Sequence, residues 1–251
     1  MRTVGFLLLL CSFLLMACGT TPESPSSPAT FSIQVAPIMD GYDSTDDHAV
    51  VGLVALSGGG GVGICSGSLI APNVVLTAQH CVAPLSNGNG VVDCNTTTFG
   101  APYNDGALYV STKRQLSNSP GDYYASAGVV VPPGDNRVCG RDIALLVLKD
   151  PIPESIATPL IPRVDTPMFD ANDPGQSTGE VYSAIGYGNT SQWGGGSGQR
   201  RRRDNLYVSC AGPECIMYGL ENEFLGDTGV CQGDSGGPSV DSLGRVTGVA
   251  S

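Results

Sequence analysis

Lysine is nearly absent from this 251-residue sequence, with Lys113 and Lys149 the only two, and 23 acidic residues against 12 basic ones give a net charge of −11. Such a chain is repelled by polyphosphates and by anionic membrane surfaces, which argues against nucleic-acid binding. Charged residues make up only 14% of the chain, and no 11-residue window sustains a helical period. Helical bundles and coiled coils are thereby disfavoured. There are two histidines, His48 and His80, so imidazole chemistry has few candidates. No apolar run reaches the roughly 20 residues that span a bilayer. The longest, Val4 to Ala17 behind Met1-Arg2-Thr3, reads as a signal peptide over residues 1–17. No internal repeat and no metal-ligand cluster is visible, and no cofactor is called for.

What is abundant is glycine, 35 residues, and proline, 18, which suits a turn-rich chain. From Val50 onward the apolar residues form short β-branched runs bounded by Gly, Pro, Asn or Asp: 50–56, 74–76, 129–131, 143–148 and 246–249. Runs of that length and composition are strands, so pattern alone predicts an all-β barrel or sandwich. Gly58 to Gly63 contains a formal G-x-G-x-x-G, but Ile64 to Ile70 after it reads as a strand rather than the helix a dinucleotide loop requires. A hairpin loop is the better reading. Gly194 to Arg203, a glycine stretch ending in four arginines, reads as an exposed loop, with a proteolytic processing site as the alternative.

The segment Leu15-Met16-Ala17-Cys18 resembles the lipobox of bacterial lipoproteins, in which Cys18 becomes the acylated first residue. Gly19 beside it resembles the outer-membrane sorting class. The alternative is ordinary secretion with Cys18 a stray thiol. Residues 18–37 are Ser/Thr/Pro-rich and nearly uncharged, so they read as a tether. The working domain then spans 38–251, outside the cytoplasm, where disulfides form. The protein is expected at the outer membrane, on its periplasmic or outer face.

Three short motifs carry chemistry. His80 lies in Thr77-Ala78-Gln79-His80-Cys81 after an apolar strand, Asp142 opens Asp142-Ile143-Ala144-Leu145-Leu146, and Ser235 lies in Gly233-Asp234-Ser235-Gly236-Gly237-Pro238. A serine hydroxyl needs an imidazole to take its proton, and the imidazole needs a carboxylate to hold its tautomer. Glycines beside the serine allow a tight turn that aims backbone N–H groups at an oxyanion. Residues 233–237 also satisfy G-x-S-x-G, but the α/β-hydrolase elbow requires a histidine after the serine, and none follows Ser235. The order His, Asp, Ser is that of the chymotrypsin-type barrels.

From Ile38 to Ser251 the chain resembles a trypsin/chymotrypsin-type serine protease, the family on which the general triad template is itself drawn. The resemblance rests on Cys65-Ser66-Gly67-Ser68-Leu69-Ile70 with Thr77-Ala78-Gln79-His80-Cys81, and on Cys231-Gln232-Gly233-Asp234-Ser235-Gly236-Gly237-Pro238. It implies two six-stranded antiparallel Greek-key barrels with the active site between them. It implies His80 as general base and acid, Asp142 as its orienter, Ser235 as nucleophile, and the N–H groups of Gly233 and Ser235 as oxyanion hole. It implies protein or peptide substrates. Ile38-Met39-Asp40-Gly41 resembles the family's activated terminus, whose amine would pair with Asp234, although Pro37 is not the usual basic residue before it. Gly229 and Val230 fall at the specificity-pocket floor and suggest a small or apolar P1 side chain.

By the same resemblance Cys65 pairs with Cys81. Cys94–Cys139 and Cys210–Cys215 are further candidate pairs, and the family partner of Cys231 would lie beyond Ser251. The family's chain continues past residues 246–251, so the second barrel is expected to be incomplete at its C-terminus. The competing reading is a non-catalytic homologue or inactive fragment that binds proteins. Oligomeric state is not legible.

Overall fold

The structure, a computed structural model, describes residues 31–32, 38, 41–56, 62–88, 91–166, 179–190, 195–212, 222–227, 229–230 and 232–251. The signal peptide, Cys18, most of the tether, Gly58 to Gly61, Cys215 and Cys231 lie outside those residues. Fourteen strands and two short 3-10 turns are described: β1 (Phe31–Ser32), β2 (Tyr42–Asp43), β3 (Val50–Leu56), β4 (Val62–Ala71), β5 (Val74–Thr77), β6 (Val91–Val92), β7 (Leu108–Ser111), β8 (Tyr124–Val130), β9 (Ala144–Leu148), β10 (Val181–Gly186), β11 (Arg201–Ala211), β12 (Phe224–Gly226), β13 (Pro238–Val240) and β14 (Val246–Val249). The protein is all-β, as its punctuation by glycine and proline predicts.

Strands β3-β4-β5-β9-β8-β7 close into a barrel, all neighbours antiparallel. A second sheet runs β12-β11-β10-β13-β14, with β2 added alongside β11, and is not closed. Strands β1 and β6 form a separate two-stranded ladder, so Phe31–Ser32, expected as tether, are paired with Val91–Val92.

The β3 sequence Val-Val-Gly-Leu-Val-Ala-Leu does not alternate with polar residues because both of its faces are covered. Val51 and Leu53 point into the first barrel with Leu69, Val75, Leu108 and Leu146. Val50 instead joins Leu76, Ile185, Tyr187, Val240 and Val246 in a layer between the barrel and the second sheet. Each such side chain contributes about 1.5–3 kcal/mol by leaving water. A third cluster, Tyr182, Ala184, Leu206, Val208 and Ala211 with Phe224 against it, fills the second sheet.

The arginine run overturns the expectation of an exposed loop. Arg201 to Arg203 belong to β11, paired with β10 on one side and β2 on the other, and Arg200 is fully buried. A strand hydrogen-bonded along both edges offers no extended substrate to a processing protease. Asp43, Asp47 and Asp204 pair with Arg201 and Arg202, which lets the charge run lie in a sheet. The Arg200 guanidinium donates to the carbonyls of Val50 (3.1 Å), Thr112 (3.1 Å), Ser44 (3.4 Å) and Thr45 (3.5 Å), and to the Tyr187 hydroxyl (3.3 Å). Tyr187, also buried, has its phenol pKa pushed up to about 12 by burial.

Candidate active site

The ladder register places the histidine beside the aspartate. Strands β5 and β9 are antiparallel with Thr77 opposite Ala144, so the end of β5 meets the start of β9. Two residues past Thr77 the chain enters a 3-10 turn, Gln79–Cys81, that presents His80, and two residues before Ala144 stands Asp142. The turn is clamped by the Cys65–Cys81 disulfide, which ties it to β4. The pairing implied by the resemblance is therefore present, and so is Cys94–Cys139. Cys210 is disulfide-bonded as well.

Asp142 holds His80 at two points. Its Oδ1 accepts the His80 backbone N–H at 2.9 Å, and its Oδ2 faces Nδ1 at 2.6 Å. A proton on Nδ1 directed at the carboxylate leaves Nε2 with its lone pair, the form a general base requires. Burial favours the neutral acid of Asp142, yet the hydrogen bonds from His80 and Ser251 outweigh it and hold the carboxyl below its ordinary range. Burial likewise disfavours the imidazolium, but the Asp142 hydrogen bond and charge raise His80 above its ordinary 6.5.

Ser251 went unnoticed in the sequence. Its hydroxyl donates to Asp142 Oδ2 at 2.6 Å, giving the carboxylate a third donor. It arrives there because β14 returns antiparallel to β13, and Ala250 brackets the serine turn through Gly236 N–H to Ala250 O (2.7 Å) and Ala250 N–H to Gly237 O (2.9 Å). No local signal marks a lone serine two residues past an apolar run.

The serine loop is fastened to the first barrel by Ser66 of β4, which is fully buried. The Ser66 N–H donates to the Ser235 carbonyl at 2.7 Å, and its hydroxyl donates to the Gly233 carbonyl at 2.8 Å while accepting the Tyr187 N–H at 2.9 Å. The Cys81 sulfur lies 3.5 Å from the Ser235 carbonyl oxygen, so the Ser235 loop abuts the His80 turn. Two glycines are obligatory there. Gly233 has φ +99°, and a Cβ on Gly236, φ +83°, would stand 2.1 Å from Thr77 Oγ1. Ligand atoms of Cys65, His80 and Cys81 fall within 4.8 Å of one another, but both sulfurs are consumed in the disulfide.

The remaining expected residues are placed as follows. Asp234 is buried and its Oδ1 accepts the Gly188 N–H at 2.8 Å. Ile38 is buried and its carbonyl accepts the Gly41 N–H at 3.3 Å. Gly229 is buried with φ +139°, and the position its Cβ would take lies 2.4 Å from a terminal nitrogen of Arg203. Val230 beside it is 37% exposed, open enough to meet a ligand. The sequence gives no sign that Arg203 lies beside Gly229, since the arginine run reads as a surface feature.

Among the described residues no helix is long and apolar enough to cross a membrane. A family model described as Trypsin matches residues 39–251. A protein named Trypsin from Saccharopolyspora erythraea is 29% identical over 213 residues, covering 81% of this chain and 81% of that protein. That match runs through the closed barrel, the open second sheet and the three converging loops alike, and the chain belongs to the trypsin family of serine proteases.

Proposed function

We propose that the protein is a serine endopeptidase that cleaves peptide bonds through an acyl-enzyme on Ser235. The observation that carries this reading is the partly buried His80–Asp142 pair at 2.6 Å, on a turn that abuts a serine loop fastened to the same barrel by Ser66. His80 Nε2 removes the Ser235 proton as the hydroxyl oxygen attacks the substrate carbonyl, and the tetrahedral oxyanion is met by the N–H groups of Gly233 and Ser235. The imidazolium, stabilised by Asp142, then protonates the leaving amine. Water repeats the sequence in reverse and frees the acid product. One oxyanion donor of this kind is worth about 3 kcal/mol in the transition state.

The finer features belong to the same proposal. Gly229 and Val230 form the floor of the P1 pocket, and the Arg203 guanidinium against Gly229 opposes a cationic P1 side chain, which favours a small or apolar one. Cleavage before Ile38 frees an amine that turns to Asp234. Cys18 carries the lipid that holds the exported enzyme at the outer membrane, and the disulfides suit such an oxidising location.

A fluorophosphonate serine probe tests the reading. Intact mass of the purified chain should show one adduct that vanishes in Ser235→Ala. A folded wild-type chain that takes no adduct, even after cleavage before Ile38, refutes catalysis and leaves a non-catalytic protein-binding homologue.

A further inference from the structure

The triad is divided between two sheets, His80 and Asp142 on the first and Ser235 on the second, so its geometry depends on whatever fixes one sheet to the other. Ser66 does this at the serine loop, and Ser251 does it at the Asp142 carboxylate. A third link reaches the same loop just upstream of Asp142. The N–H of Gly140, two residues before Asp142, donates to Glu223 Oε1 at 2.6 Å.

Glu223 is well mounted for this task. Its own carbonyl accepts the Gly212 N–H at 3.2 Å, and the next residue, Phe224, pairs with Ala211 as β12 joins β11. The Phe224 ring meets Tyr182 edge to face at 5.7 Å. On its other side it covers Gly248 of β14 so closely that a Cβ there would stand 2.5 Å from the ring. Strand β14 runs on into Ser251. The segment carrying Asp142 is therefore gripped on both flanks by groups seated on the second sheet, Glu223 upstream and Ser251 at the carboxylate itself.

We propose that Glu223 is a positioning residue for the triad, holding the Asp142 loop to the sheet that carries Ser235 and adding its negative charge to the field around the Asp142–His80 pair. This inference rests on the proteolytic reading above. Burial, and then the charge of Asp142, raises the Glu223 carboxyl above its ordinary range, which places the two acids in one electrostatic environment. Among the described residues the titratable group facing Glu223 is Asp142, itself paired with His80. Arg141 lies in the same loop, but its guanidinium is directed to the Pro133 carbonyl and to Asp135.

Two variants of the full chain separate a positioning role from a structural one. Glu223→Ala removes both acceptor and charge, whereas Glu223→Gln keeps the acceptor oxygen. On a peptide substrate, Glu223→Ala should lower kcat about tenfold with little change in KM, because the loss is one of alignment. Glu223→Gln should recover most of that loss. Both variants should lower the pKa of His80, read by NMR titration of a chain with only two histidines. Wild-type kcat in Glu223→Ala, or a loss confined to KM, overturns the proposal. The NMR arm needs no turnover. An unmoved His80 titration in both variants overturns the proposal even if the wild-type chain proves inactive, and wild-type inactivity by itself counts against the proteolytic reading alone.

Discussion

Two serines two residues apart on β4 should respond to alanine with opposite signs. Ser66 and Ser68 are both fully buried. The Ser66 hydroxyl serves the Gly233 carbonyl and the Tyr187 N–H, while the Ser68 hydroxyl has no hydrogen-bond partner among the described residues. Ser66→Ala leaves one buried carbonyl and one buried N–H unsatisfied at about 1–3 kcal/mol each, so the loss should be about 2–6 kcal/mol. For a domain of this size that lowers Tm by about 5–15 °C. Ser68→Ala instead removes a desolvated hydroxyl and should stabilise the fold by about 1 kcal/mol. Urea unfolding of the two variants at constant m-value measures both. The fluorophosphonate reaction should slow in Ser66→Ala, whose Gly233 peptide loses its anchor, and hold in Ser68→Ala. Equal losses in the two variants, or a Ser66→Ala cost indistinguishable from zero, would refute the argument that satisfaction rather than burial sets the sign.

Two further expectations concern pH and covalent closure. Because activity needs neutral His80 and its pKa is raised, the rate should fall on the acid side through a midpoint above 6.5. Asp142→Asn removes the cause of that rise and should move the midpoint down while cutting kcat steeply. A wild-type acid limb below 6.5 would contradict the pairing. Replacing both Cys94 and Cys139 by serine opens a link between residues 45 apart in sequence. The entropy of the freed loop predicts a loss of about 4 kcal/mol, measurable by denaturant unfolding.

The legible parts of this chain were those whose chemistry is written locally. Val50–Leu56 and Val246–Val249 are strands with the expected bounds, since β-branched runs between turn residues have few alternatives. The 143–148 run begins one residue late as a strand, Ile143 being exposed at the approach from Asp142. The histidine and serine motifs carry a catalytic proposal from the sequence alone because a nucleophile and its base would demand particular neighbours. What escaped was set by tertiary pairing. Four successive arginines have the composition of a solvated loop, and only Asp43, Asp47 and the backbone carbonyls across the seam make them a strand. Ser66, Ser251 and Glu223 are single polar residues whose partners lie 167, 109 and 83 positions away. Nothing in a local window records such distances.

The Arg200 guanidinium has a consequence for how the molecule comes apart. Apart from the Tyr187 hydroxyl, its acceptors are the carbonyls of residues 44, 45, 50 and 112, all from the first half of the chain, whereas Arg200 itself leads into the second sheet. A guanidinium stripped of water is strongly penalised once those carbonyls withdraw. The second sheet therefore has no comfortable state of its own with the first barrel unravelled. Heating should give one calorimetric transition spanning both halves, and proteases should find no stable intermediate domain to release.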